Sequence, residues 1–169
     1  MTATYEKIAT TTLGSNTTSI TFSSITQTYT DLVIIIGNAK TTVNTDGPIL
    51  GFNADTGAGT NYSWTFMQGN GSTAYSSRAS NLTYGQNYLA SSAMSNVNPG
   101  QLLVNIMNYS NSTTYKTTLT RSGSASNSTE AWVNLWRSTA AITSVTLGVQ
   151  SPDQWQSGTI FTMYGIKAE

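Results

Sequence analysis

Histidine and cysteine are both absent from this 169-residue chain, and only seven acidic and seven basic side chains are scattered through it. Their absence removes serine–histidine and cysteine–histidine triads, thiolate or imidazole zinc sites, dithiol redox pairs and histidine-ligated haem. Charged residues make up 8% of the chain, against about a quarter in an ordinary globular protein. Solubility rests instead on uncharged polar groups, with 52 Ser plus Thr and 15 Asn. Copies with such a surface can pack side by side without strong repulsion or stranded charges, which suits an assembly component.

The basic residues Lys7, Lys40, Arg78, Lys116, Arg121, Arg137 and Lys167 form no run, and the formal net charge is zero. A nucleic-acid partner needs a basic stripe to neutralise phosphates, and an anionic membrane needs much the same, so neither is expected. The longest strongly apolar run, 32–36, is too short to span a bilayer, and residues 1–6 lack a signal-peptide layout. A soluble chain is expected. Asn-X-Ser/Thr triplets beginning at Asn16, Asn61, Asn70, Asn81, Asn108, Asn111 and Asn127 follow from the composition and are expected to be unmodified.

Apolar residues recur with a period of two and not with a helical period, between turns rich in Gly, Asn, Ser and Pro. This predicts an all-β protein with about ten strands, at 5–13, 17–22, 31–38, 49–53, 63–67, 101–109, 115–121, 130–137, 142–149 and 159–167. The length fits a single domain over 1–169, folded as a two-sheet antiparallel sandwich of jelly-roll-like type. Ile20 and Phe22, then Leu102, Val104 and Ile106, then Val145, Leu147 and Val149 read as inward sets. The run Leu32 to Ile36 is apolar on both sides, which predicts a central strand covered on each face. In 130–137, Val133 and Leu135 are taken to face the core, leaving Trp132 and Trp136 outward. Either a subunit interface or a flanking loop must then cover them.

The stretch 69–98 is the least regular and reads as an excursion bearing Tyr75, Tyr84 and Tyr88. These three join Trp132 and Trp136 as candidate interface residues, because long loops usually bind or pack against something. The alternative is a solvated loop holding a short strand or two.

Two carboxylates could hydrolyse glycosides without histidine. The acidic set is Glu6, Asp31, Asp46, Asp55, Glu130, Asp153 and Glu169. The nearest pair, Asp46 and Asp55, sits in turn contexts where Asp bonds local backbone, so a structural role is expected. Neither loop has calcium-site spacing, and no catalytic, cofactor or metal site is expected. Trp64, Tyr75 and Trp155 could stack on sugar rings as surface aromatics, but aromatics at strand positions are more often core or interface residues, so the sugar platform is the second reading.

Several segments together carry a family likeness: Tyr5-Glu6-Lys7-Ile8-Ala9, the stretch 23–34 with Gln27-Thr28-Tyr29-Thr30-Asp31 leading into an apolar strand, Asn61-Tyr62-Ser63-Trp64, the stretch 138–147, and 158–167 with its closing Tyr164-Gly165-Ile166-Lys167. The chain resembles virion structural proteins of tailed phages, most strongly small proteins of aquatic and cyanobacterial phages. The resemblance implies a β-rich, non-enzymatic particle component assembled in the host cytoplasm. It would be a capsid decoration (cement) protein or a tail or fibre appendage. Expected partners are further copies of the chain, as a trimer, and the major capsid protein. The alternative is a tail fibre or spike domain that binds a surface glycan. Gly165 should permit a bulge or a close backbone approach, and Asp31 should bond local backbone groups.

Overall fold

Alternation becomes twelve strands in the computed structural model, which describes residues 4–42, 47–56, 59–86, 94, 98–124 and 128–167. In chain order these are β1 (Tyr5–Thr12), β2 (Ser19–Phe22), β3 (Asp31–Ala39), β4 (Pro48–Phe52), β5 (Tyr62–Gly69), β6 (Ala74–Leu82), β7 (Gly85–Gln86), β8 (Gly100–Met107), β9 (Lys116–Gly123), β10 (Thr129–Trp136), β11 (Val145–Val149) and β12 (Ile160–Ile166). No helix occurs among the described residues. A wide sheet of eight strands runs β1-β12-β3-β8-β9-β10-β5-β6, and a narrow sheet of four runs β2-β11-β4-β7. All the pairings are antiparallel.

Each of the ten expected strands has its counterpart. The two further ones, β6 and β7, lie within 69–98, so that stretch is regular structure through Gln86 rather than an excursion.

The core lies between the sheets. Met163, Ile34 and Val104 are cross-strand neighbours on β12, β3 and β8, and Phe161, Ile36 and Leu102 form the next row. Phe22, Leu50, Phe52, Val145, Leu147 and Val149 meet them from the narrow sheet. Each such side chain contributes about 1.5–3 kcal/mol when fully buried. On its other face β3 is covered only in part: Val33 is buried, but Ile35 is 39% exposed.

Trp155 is fully buried, edge-on to Phe161 at 5.2 Å, and its Nε1 donates to the Leu147 carbonyl at 3.3 Å. It is a core residue and not a surface platform. Flanking bridges to Thr17 and Thr41 fix its backbone.

The outermost strand β1 is tied to the end of β12. Lys167 Nζ lies 2.8 Å from Glu6 Oε1, and the Tyr29 hydroxyl donates to Glu6 Oε2 at 3.0 Å. Tyr29 lies across Gly165, where an added Cβ would sit 2.3 Å from the ring. The close approach at Gly165 is thus by an aromatic ring rather than a backbone, and the irregularity in the β1–β12 ladder falls between Lys7 and Ala9. Asp31 Oδ1 accepts from the Asn108 amide at 2.7 Å, a bond to a distant loop and not to its own turn.

Hydrogen bonds from Lys167 and Tyr29 hold the Glu6 carboxyl below its ordinary pKa. A lowered carboxyl pKa contributes stability that is complete above the unfolded value and is lost as pH falls through the folded one. The same bond raises Lys167, so that residue's contribution is complete below the ordinary lysine value and fades only as pH rises through its folded one. The side chains are 43% and 35% exposed, so the effect is small and screened by salt. Melting temperatures of the wild type and Glu6→Gln should therefore differ at pH 7 and draw together as pH falls below the ordinary glutamate value of about 4.3. A constant difference across that range would contradict the linkage.

Candidate functional site

Strand β10 faces the opposite way from the sequence expectation. Trp132 and Trp136 are 2% and 3% exposed, whereas Val133 is 47% exposed. The reason is that the polar side chains of β10 on the Trp side find partners. Trp132 stacks on Phe66 at 4.0 Å, stands edge-on to Trp64 at 5.0 Å, and donates Nε1–H to Glu130 Oε2 at 2.8 Å. Ser128 Oγ donates to the other oxygen of Glu130 at 3.1 Å. Trp136 packs on Phe52 at 5.4 Å and Tyr62 at 6.4 Å, and its Nε1 donates to Asp55 Oδ2 at 2.7 Å. Between them, Asn134 Nδ2 donates to Thr118 at 3.2 Å, and its Oδ1 accepts from the Gln86 amide at 2.8 Å. With its polar atoms paired, the face with the larger rings gains more from burial than Val133 and Leu135 would. The cover over both tryptophans is the chain itself, so neither stands at an exposed subunit contact.

The same face carries a buried lysine. Lys116 Nζ donates to the carbonyls of Thr114 at 2.7 Å and Thr139 at 3.2 Å, and burial pushes its pKa down.

Tyr75 on β6 is 55% exposed and stands edge-on to Phe66 at 5.0 Å. Tyr84, half-buried between β6 and β7, accepts a hydrogen bond from Gln150 Nε2. Tyr88 lies outside the described residues. Of the candidate interface residues, Tyr75 and Trp132 therefore meet through Phe66, while Trp136 and Tyr84 lie elsewhere. Around that junction Trp64, Phe66, Gln68, Tyr75, Gln86 and Trp132 line a cleft of about 240 Å³. A neighbouring hollow of about 420 Å³ shares Gln68 and Tyr75 and adds Asn70 and Thr73. Trp64 Nε1 is buried with no hydrogen-bond partner among the described residues.

A second surface lies on the outer face of the wide sheet. Ile35, Leu103, Arg121, Ala131 and Met67 are cross-strand neighbours in one row, and Val33, Asn105, Leu119, Val133 and Thr65 form the next. Tyr5, Ile35, Met67, Met107, Val133 and Ile160 are all exposed, and strand alternation puts them on this one face. Arg121 sits mid-face between two shallow hollows, one reaching Met67 and Ala131, the other Ile35 and Leu103.

Acidic residues among those described bond within the fold. Asp55 accepts from Trp136 and from Asn61 Nδ2 at 3.0 Å, and Asp153 from Thr42 at 2.8 Å. Asp46 and Glu169 lie outside the described residues, among which no group of three or more acidic side chains could hold a metal ion. The arrangement offers stacking, apolar docking and neutral hydrogen bonding. No family model matches the chain, and no curated protein or solved structure was found to be similar to it.

Proposed function

We propose that this chain is a non-enzymatic structural subunit of a virion, a capsid decoration protein that docks through the outer face of its wide sheet. The observation that carries this reading is the concentration of exposed Tyr5, Ile35, Met67, Met107, Val133 and Ile160 on one face of the sheet. Large apolar side chains left exposed together on one sheet face mark a contact between proteins. The occupant is a second copy of the chain. Zero net charge spares copies strong mutual repulsion, and the face carries charges of both signs, Lys7, Arg78 and Arg121 with Asp31, which two copies can pair rather than strand. Closed symmetry, as a trimer, limits the assembly, and repeated moderate contacts with the major capsid protein give avidity. The resemblance of several segments to tailed-phage virion proteins suggests a particle surface as the destination. On this reading the sandwich is a jelly-roll-like variant with one widened sheet.

Sedimentation of the isolated chain tests the docking face. The wild type should be oligomeric at micromolar concentration. Val133→Asp and Met67→Asp should each weaken assembly at least tenfold, about 1.4 kcal/mol, with the β-sheet circular dichroism unchanged. A monomeric wild type would refute the reading. Protein staining of purified particles then separates a shell protein, present in hundreds of copies, from a tail component present in few.

A further inference from the structure

On the inner side of the same sheet, the aromatic cleft has the makings of a ligand site. We infer that the cleft between β5, β6, β7 and β10 binds a neutral glycan, with Tyr75 as the stacking platform and the carboxamides of Gln68 and Gln86 as its polar rim.

The platform is preorganised. Tyr75 is set edge-on against Phe66 at 80°, Phe66 is stacked on Trp132 at 12°, and Trp132 is tied through Nε1 to Glu130. Each ring is thus held by the one beneath it, and the outermost still exposes more than half its surface, 55%. An exposed ring already locked in place loses little conformational freedom when a ligand stacks on it.

The rim selects the chemistry. None of the residues lining the cleft is charged, and both oxygens of nearby Glu130 are already bonded. A phosphate or a carboxylate ligand would find no countercharge. Gln68 lies directly opposite Tyr75 in the β5–β6 ladder, and neither its carboxamide nor that of Gln86 makes a side-chain hydrogen bond among the described residues. A carboxamide both donates and accepts, as a sugar hydroxyl does, and a pyranose presents a C–H face to an aromatic ring. The adjoining hollow continues past Tyr75 to Asn70 and Thr73. Asn70 Oδ1 accepts from the Ser72 and Thr73 amides, which fixes its side chain at the rim. The two adjoining hollows, of about 240 and 420 Å³, offer room for more than one ring, so the ligand is an oligosaccharide.

The inference stands apart from the assembly reading, since Met67 and Val133 point from the other face. The test is titration of the full chain with cellohexaose, maltohexaose, xylohexaose and chitohexaose, followed by tryptophan fluorescence and calorimetry. At least one should bind saturably with a fluorescence change. Tyr75→Ala and Gln68→Ala should each weaken it tenfold or more at unchanged melting temperature, and Met67→Asp should leave it intact. The inference is overturned if none of the four binds at millimolar concentration. It is equally overturned if binding survives both cleft variants, or if only a charged glycan such as a heparin oligosaccharide binds.

Discussion

Replacing Trp136 by Ala should destabilise the dissociated chain by about 3–5 kcal/mol, the cost of truncating a large core aromatic. The ring is 3% exposed and wedged between Phe52 and Tyr62. Its removal opens a void and also takes one of two side-chain donors from the Asp55 carboxylate, leaving Asn61. Trp132→Ala should cost as much, because it strips the stack from Phe66 and the indole donor from Glu130. Trp136→Phe separates the two contributions: it keeps most of the apolar contact and loses the bond, for about 1–3 kcal/mol. Urea unfolding of dilute protein measures all three. A loss of assembly at unchanged unfolding free energy would show that these rings are contact residues after all.

Gly165→Ala is expected to cost about 1–3 kcal/mol despite adding a single methyl group. The new Cβ would fall 2.3 Å from Cγ of Tyr29, in the body of a ring and not at the end of a flexible side chain. The ring must move, and its hydroxyl then leaves Glu6. Tyr29→Ala removes the obstacle, so in that background Gly165→Ala should cost less than about 0.5 kcal/mol. The pair is therefore strongly non-additive. A double-mutant cycle by thermal or chemical unfolding measures this, and additive costs would mean that the backbone yields instead.

Much of the fold was legible wherever a strand carries several apolar residues in alternation with polar ones. Leu102, Val104 and Ile106 on β8, and Val145, Leu147 and Val149 on β11, are all buried as their pattern requires. Strand β6 was hidden because it is an edge strand, largely exposed, with Ser76, Ser77, Arg78 and Ser80 in its middle. A strand with no buried face has no reason to alternate, and a charged edge also discourages pairing with other chains. In β10 the period was readable but its sense was not. Val133 and Leu135 look like a core pair until Asn134 and Glu130 are known to have partners, and those partners come from β9, β7 and Ser128. The cleft was legible only as Tyr75 and Trp64. Phe66, Gln68 and Gln86 join it through strand register, which no local pattern encodes.

The position of β12 sets the order in which the molecule can be completed. The last strand in sequence lies inside the wide sheet, between the first strand and β3. During synthesis, β3 can pair with β8 on one side, while its other edge, carrying Leu32, Ile34 and Ile36, waits for most of the chain to be made. β1 has no partner at all until then. Closing so long a loop is entropically slow, which places folding in the millisecond-to-second range typical of non-local β topologies. The waiting edge is where a nascent chain is most open to pairing with a neighbour, so crowded polysomes are the setting in which this fold is most vulnerable.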